Sequence, residues 1–341
     1  MLKRLIISAV LVLTLGCCTK IVQQSGPTDN TEISYQVISG RTKALEEYPT
    51  TVPFVSSAWY LPQGKKWAAN KADAQLYISS AVISYDSATG KFKAATPYYW
   101  PKKGSLTFMA YSLDKTLSPA YSPETGKIQI TKDGVVVTDW ATNGSDKRID
   151  LMVADIVKNK SANGTSYGMV GVPIVFRHIL SKVAVTAFIE KEEPGKEISM
   201  DRIVFHNVYG EADFNGSEWT NRGDVHDVDN TLTPAIKLGI NKTNIIETML
   251  LIPQSLSAVG TRGKVEMVIY YTINDNGATK HENVTISLNQ HGAAWERGKY
   301  TEYQIIFGTS DHPIDFGGSV SDWTGYGNTD IVIGRIETCT R

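Results

Sequence analysis

The stretch Lys264-Val265-Glu266-Met267-Val268-Ile269-Tyr270-Tyr271-Thr272-Ile273 decides the fold. In an extended chain Val265, Met267, Ile269, Tyr271 and Ile273 share one side, with Lys264, Glu266 and Thr272 on the other. Side chains of a strand point alternately to opposite faces, so this period of two predicts a strand with one apolar and one wet face. An antiparallel sheet packed on a core from one side shows that pattern. Downstream, Val284, Ile286 and Leu288 repeat it, followed by Thr301, Tyr303, Ile305 and Phe307. Upstream lie Met249 to Ile252, Ile203 to Val208, Val183 to Ile189 and Val172 to Phe176.

The same alternation runs through Val52, Phe54, Ser56, Ala58 and Tyr60, then Leu76, Ile78, Ser80 and Val82, then Leu106, Phe108 and Ala110. Shorter apolar runs follow at Val135 to Val137 and Leu151-Met152-Val153. Turn signals such as Ala88-Thr89-Gly90 and Pro123-Glu124-Thr125-Gly126 separate them, as hairpins require. The one helical hint is His178-Ile179-Leu180-Ser181-Lys182. A loop-rich stretch from Asn159 to Gly171 suggests a division there. The expectation is therefore an all-β chain with two antiparallel β-sandwich domains in tandem, residues 48–165 and 166–341.

Composition narrows the function. The chain has 341 residues, with 34 Lys+Arg against 35 Asp+Glu, a formal charge of −1. So even a balance argues against nucleic acid, whose partners carry a clear basic excess. At 42% hydrophobic and 20% charged it is neither disordered nor polytopic in a membrane. Its 16 tyrosines suit strands better than helices.

The cysteines lie only at the ends: Cys17, Cys18 and Cys339. No internal disulfide or thiol-rich metal site is available to the body of the chain. Met1-Leu2-Lys3-Arg4 followed by apolar Leu5 to Leu15 reads as a signal peptide, too short to span a bilayer as a stable helix. Leu13-Thr14-Leu15-Gly16-Cys17 resembles a bacterial lipobox, which makes Cys17 the candidate lipidation site and residues 1–16 the removed leader. An ordinary secretory signal with a bystander cysteine is the alternative. Acylation would hold the mature chain on a membrane. Residues 17–47 read as a polar tether, with Ser25-Gly26-Pro27-Thr28-Asp29-Asn30 at its start. Within it one alternating patch, Ile33, Tyr35 and Val37, ends at Gly40-Arg41.

No catalytic constellation emerges. His178, His206, His226, His281, His291 and His312 are scattered, without metal-ligand spacing. There is no nucleophile elbow and no phosphate-cradling loop. Asp224, Asp227 and Asp229 offer carboxylates to calcium but lack the spacing of a calcium loop, so a solvated turn is the simpler reading. Asn143-Gly144, Asn163-Gly164 and Asn215-Gly216 read as turns. The expectation is no enzyme, no cofactor and no metal.

Several segments together resemble the fimbrillin family, the Mfa-like group of bacterial type V pilus proteins. They are Tyr99-Trp100-Pro101, Leu106-Thr107-Phe108-Met109-Ala110-Tyr111 and Asp150-Leu151-Met152-Val153-Ala154, then Val175-Phe176-Arg177-His178-Ile179-Leu180-Ser181-Lys182-Val183. Leu250-Leu251-Ile252-Pro253-Gln254, Trp295-Glu296-Arg297-Gly298-Lys299-Tyr300 and Trp323 complete the series. Their order covers nearly the whole mature chain, although each segment by itself reads equally well as core or turn.

The resemblance implies two transthyretin-like β-sandwich domains, export as a lipoprotein, and a structural subunit of a surface pilus assembled at the outer membrane. It also implies removal of the N-terminal strand by an arginine-specific protease, after which the vacated groove accepts a strand from another subunit. Here the matching cut falls between Arg41 and Thr42, and the candidate donor strand is Ile331, Ile333 and Ile336 in the carboxyl-terminal run. The implied partners are other pilin subunits by β-strand addition and the outer membrane through the N-terminal lipid. The alternative is an outer-membrane-anchored adhesin or glycan-binding surface lipoprotein. It would recognise a host or bacterial surface ligand through exposed aromatics such as Trp59, Tyr60 and Trp67.

Overall fold

The computed structural model describes residues 31–38, 48–115, 120, 122–142, 148–162, 170–308 and 314–323, together with the backbone of 332–337. It is built almost entirely of strands. Strands β1 Tyr35–Val37, β2 Phe54–Leu61, β3 Gln75–Asp86, β4 Lys91–Ala94 and β5 Ser105–Asp114 come first. They are followed by β6 Ile128–Thr131, β7 Gly134–Ala141, β8 Asp150–Ala154, β9 Val157–Lys160, β10 Val172–Ile174 and β11 Phe176–His178. A nine-stranded sheet runs in the order β10-β1-β4-β3-β2-β5-β8-β11, with β9 also on β5. This sheet folds over itself, so that Tyr35 on β1 packs edge-on against Phe54 on β2 and Phe108 on β5. Ile78, Ile83, Phe92, Trp100, Val172 and Ile174 fill the same core.

The second lobe comprises β12 Ser181–Ile189, β13 Lys196–Tyr209, β14 Glu211–Phe214, β15 Trp219–Thr220, β16 Val225–Lys237 and β17 Thr243–Leu251. It continues through β18 Gln254–Ser255, β19 Glu266–Asp275, β20 Ala278–Ser287, β21 Ala294–Trp295, β22 Lys299–Phe307, β23 Ile314–Asp322 and β24 Val332–Glu337. Two sheets, β17-β12-β22-β23-β24 and β16-β13-β19-β20, face each other across one apolar core. The opening stretch behaves as its pattern predicts: Val265, Met267 and Ile269 are buried, and Tyr271 and Ile273 pack against the same core. Trp295 donates its indole N–H to the Tyr303 hydroxyl at 2.9 Å, which satisfies the core's largest polar side chains.

The lobes share strands. Beyond residue 165, β10 and β11 still hydrogen-bond into the first sheet, on β1 and β8. The hairpin β14–β15 leaves the second lobe and pairs with β7, making a four-stranded sheet β15-β14-β7-β6. Beneath it a third core gathers Val137, Trp140, Leu151, Ile179, Phe214 and Trp219. Trp219 donates to the Ile179 carbonyl at 2.6 Å.

Two local readings need correction. Leu76, Ile78, Ser80 and Val82 do not share a face. Ser80 has φ 44° and sits in an irregular stretch of the β2–β3 ladder, which reverses the phase. Ile78 and Ile83 therefore enter the core, while Leu76 and Val82 are 57% and 58% exposed. The segment His178 to Lys182 is not helical: β11 ends at His178, Ile179 and Leu180 bury themselves in the third core, and β12 starts at Ser181. Among the described residues, a short α-helix lies at Trp67–Asn70.

Candidate functional site

The slot that β1 occupies in the first sheet is the feature with functional character. Ile33 and Tyr35 are buried and Val37 packs on the core; on the opposite side Gln36 is exposed, while Ser34 is buried. The strand lies between two neighbours of opposite sense. It runs parallel to β10, with Tyr35, Gln36 and Val37 opposite Val172, Pro173 and Ile174, and meets β4 antiparallel where Tyr35 faces Phe92. Just before it, the Ile33 N–H donates to the Tyr98 carbonyl at 2.7 Å and the Trp100 N–H to the Thr31 carbonyl at 2.9 Å. On the other side the Val172 N–H donates to the Ser34 carbonyl and the Ile38 N–H to the Ile174 carbonyl, both at 2.7 Å.

Gly171 makes this approach possible. Its φ is +92°, and a Cβ there would lie 2.9 Å from the Tyr35 carbonyl carbon. Tyr35 is the anchor: it is 1% exposed, with ring centroids 5.6 Å from Phe54 and 5.8 Å from Phe108. Burial pushes its phenol well above the ordinary pKa, with the Ser56 hydroxyl opposing.

The second lobe contains a matching device with a much firmer grip. β12 also sits between an antiparallel neighbour, β17, and a parallel one, β22. It spans nine residues where β1 spans three. A strand of three residues offers few ladder bonds and one fully buried side chain, Tyr35, so β1 has the weaker hold of the two. Its departure would uncover Phe54, Phe92 and Phe108 together with the unpaired backbone edges of β10 and β4, which is a template for strand addition.

The chain re-enters this core at Tyr48, whose ring stacks on Phe176 at 5.1 Å and whose hydroxyl lies 2.5 Å from the Ser112 hydroxyl. Ile38 and Tyr48 are thus two fixed points on either side of residues 39–47. Arg41 and Thr42 fall between them, outside the described residues, as do Cys17 and Ile331. Ile333 and Ile336 lie in β24, whose backbone pairs antiparallel with β23, opposite Gly318 and Phe316. The N-terminal strand and the donor candidate therefore belong to different sheets, one in each lobe.

The aromatics expected to face solvent divide. Trp59 and Trp67 are buried, at 5% and 4% exposure, and pack on each other with centroids 6.3 Å apart. The Trp67 backbone N–H donates to the Asn159 side-chain oxygen at 2.8 Å, which folds the loop after Pro62 back onto the sheet. Tyr60 is half-buried at the surface. The aspartates of β16 are engaged by β13: Asp229 takes a bidentate bond from Arg202 at 2.9 and 2.6 Å, and Asp227 pairs with His206 at 2.7 Å. The Arg202 guanidinium holds the Asp229 carboxyl below its ordinary pKa.

His178 of the motif Phe176 to Val183 joins the lobes. Its Nδ1 lies 2.8 Å from Asp150 on β8, and its ring stacks on Trp323 at 3.8 Å, just after β23. Lys182 extends over the Trp323 and Tyr300 rings. The motif therefore does structural work at the junction. A family model described as Fimbrillin-like matches residues 63–323, which brackets this junction from Trp67 to Trp323. The chain belongs to the fimbrillin-like family.

Membership of this family supports a structural role of the pilus or adhesion type. No curated protein matches it in sequence. Among solved structures, a fimbrial protein from Bacteroides vulgatus ATCC 8482 superposes with TM-score 0.60 at 15% identity, covering 86% of this chain and 99% of that one. A candidate cell adhesion protein from Bacteroides uniformis ATCC 8492 gives TM-score 0.50 at 18% identity, covering 87% and 100%. At these identities the likeness is one of fold.

Proposed function

We propose that this fimbrillin-like chain is a structural subunit of a bacterial surface pilus, placed as shaft, tip or anchor. It is exported as a lipoprotein acylated at Cys17 and is matured by a cut between Arg41 and Thr42. That cut would release the lipid and residues 31–38 together, leaving the β1 slot open. A neighbouring subunit would fill it with its carboxyl-terminal strand around Ile331, Ile333 and Ile336. If Arg41 stays intact, the lipid remains and the subunit ends or anchors the fibre at the outer membrane.

The observation that carries this reading is the short β1, buried on its core side and lodged between a parallel and an antiparallel neighbour. Six residues of β24, at about 3.3 Å each, span about 20 Å, which is longer than the three-residue ladder they would replace. Two tandem sandwich lobes, residues 48–165 and 166–341, with β10 and β11 of the second completing the first sheet, would then form one link of the fibre.

The test uses peptides. A chain beginning at Thr42 is mixed with a synthetic peptide of residues 329–337, or with one of residues 31–38. Both should bind the open slot and suppress self-association. If neither associates with the truncated chain, the slot does not accept strands and the proposal fails.

A further inference from the structure

Two cores each hold a buried tyrosine and a buried tryptophan, and only one of them joins the two. In the second lobe Tyr303 on β22 and Trp295 on β21 are each 1% exposed, and the Trp295 indole N–H donates to the Tyr303 hydroxyl at 2.9 Å. In the first lobe Tyr35 on β1 and Trp100, between β4 and β5, are both buried. Both rings pack edge-on against Phe108, with centroids 5.8 and 5.7 Å away. Yet neither the Tyr35 hydroxyl nor the Trp100 indole N–H has a hydrogen-bond partner among the described residues.

The surroundings of Tyr35 account for the difference. Phe54, Ile78, Phe108 and Val172 share its core and offer no side-chain acceptor. Ser56, buried on β2, acts on the phenol from beyond hydrogen-bond distance and turns its own hydrogen to the Met109 carbonyl at 3.3 Å. Burial is the larger influence and raises the phenol's pKa. A buried donor without a partner loses its bonds to water and regains nothing, a loss of at least about fivefold in an equilibrium constant. The strand with the weaker hold thus carries a group that its slot does not satisfy. Removing the hydroxyl while keeping the ring lifts that penalty. At Tyr303 the same change strands the Trp295 N–H and acts in the opposite direction.

We propose that the slot discriminates among strands at the position of Tyr35, favouring a large apolar side chain without a hydroxyl, so that a neighbouring subunit's strand of that chemistry holds it more tightly than β1 does. The inference rests on the strand-replacement reading of the slot and adds the chemistry of the incoming strand. A small side chain would leave a cavity between Phe54 and Phe108, and a polar one would repeat the unmet burial of the hydroxyl. Exchange then has a direction: Tyr35 closes the core of the single chain, and its unsatisfied hydroxyl favours replacement. The candidate donor run offers hydroxyl-free side chains at Ile331, Ile333 and Ile336.

The test compares Tyr35→Phe and Tyr303→Phe in the full chain by native-state hydrogen exchange. Tyr35→Phe should slow exchange of the Ile33, Ile38, Trp100 and Val172 amides by about fivefold, because the closed slot no longer holds a stranded hydroxyl. Tyr303→Phe should speed exchange across β12 and β22 by at least that factor. Unchanged or faster exchange around the slot in Tyr35→Phe overturns the proposal. Selection is read with peptides of residues 31–38, added to a chain beginning at Thr42 and to the full chain carrying Tyr35→Ala, whose own β1 is loosened. The Tyr35→Phe peptide should bind about fivefold tighter than the native one, and the Tyr35→Gln peptide more weakly than either. Equal affinity of the native and Tyr35→Phe peptides, or tightest binding by Tyr35→Gln, overturns the proposal and leaves strand replacement standing. If no peptide binds either chain, strand replacement fails and this proposal with it.

Discussion

Tyr35→Ala is the substitution that probes the slot from inside. The ring is 1% exposed and wedged between Phe54 and Phe108, so its removal leaves a cavity rather than a solvated dent. An aromatic side chain buries about 150–250 Å², which at about 25 cal/mol per Å² gives an upper figure of about 4–6 kcal/mol. Alanine keeps its methyl, and releasing a buried hydroxyl returns about 1 kcal/mol. About 3 kcal/mol remains, at the low end for truncating a buried aromatic residue. With a urea slope of about 2–3 kcal/mol per molar, the unfolding midpoint of the first lobe should fall by about 1–1.5 M. Hydrogen exchange would localise the loss: amides of Ile33, Trp100, Val172 and Ile38 should lose protection together, while those of β12 and β22 keep theirs. Tyr35→Phe keeps the ring and should stay within about 1 kcal/mol of the parent. A midpoint unmoved by Tyr35→Ala, with the Trp100 and Val172 amides still protected, would refute the idea that β1 fills this slot in solution.

Gly104→Ala should cost more than the few tenths typical of surface changes, about 1–3 kcal/mol by thermal unfolding, because the added Cβ meets the Leu61 carbonyl and forces Tyr60 off its seat. Asp150→Ala removes the partner of His178 at the lobe junction and should lower stability by about 1–3 kcal/mol; amide exchange at Trp323 should rise with it, and an unchanged rate would disprove the junction role. Acid should weaken the fold through its half-buried histidines. Burial lowers the pKa of His226 and of His291, so the unfolded chain takes up their protons more readily. Their contribution is complete above the ordinary imidazole pKa of about 6.5 and is lost as pH falls through the lowered folded-state values. His226→Leu should flatten the decline of Tm between about pH 7 and pH 5.

Much of this fold is legible in the sequence because a strand with one wet face advertises itself locally. The alternation at Val265 to Ile273 and at Thr301 to Phe307 survives intact, since central strands with regular ladders have no freedom to change phase. It fails at Ser80, where one residue in the left-handed region moves Val82 to the outside and Ile83 to the inside. Trp59 and Trp67 look like exposed aromatics, but they pack on each other, and the Trp67 backbone N–H donates to the side-chain oxygen of Asn159, 92 residues away. The candidate site divides in the same way. Ile33, Tyr35 and Val37 announce a strand. Their partners Val172 to Ile174 and the clearance provided by Gly171 are long-range facts that no local pattern carries. The crossing of β14–β15 onto β7 is of that kind too, with only Asn215-Gly216 marking the tight turn between them.

Sedimentation velocity on two forms of the mature chain, one beginning after Cys18 and one at Thr42, tests the central claim most directly. The longer form, with β1 in place, should remain a monomer across a hundredfold range of concentration. The shorter should form a ladder of head-to-tail species that grows with concentration and disappears when residues 324–341 are also removed. A Thr42 form that stays folded and monomeric throughout would mean that the slot needs no strand from a neighbour, and the assembly account would be wrong.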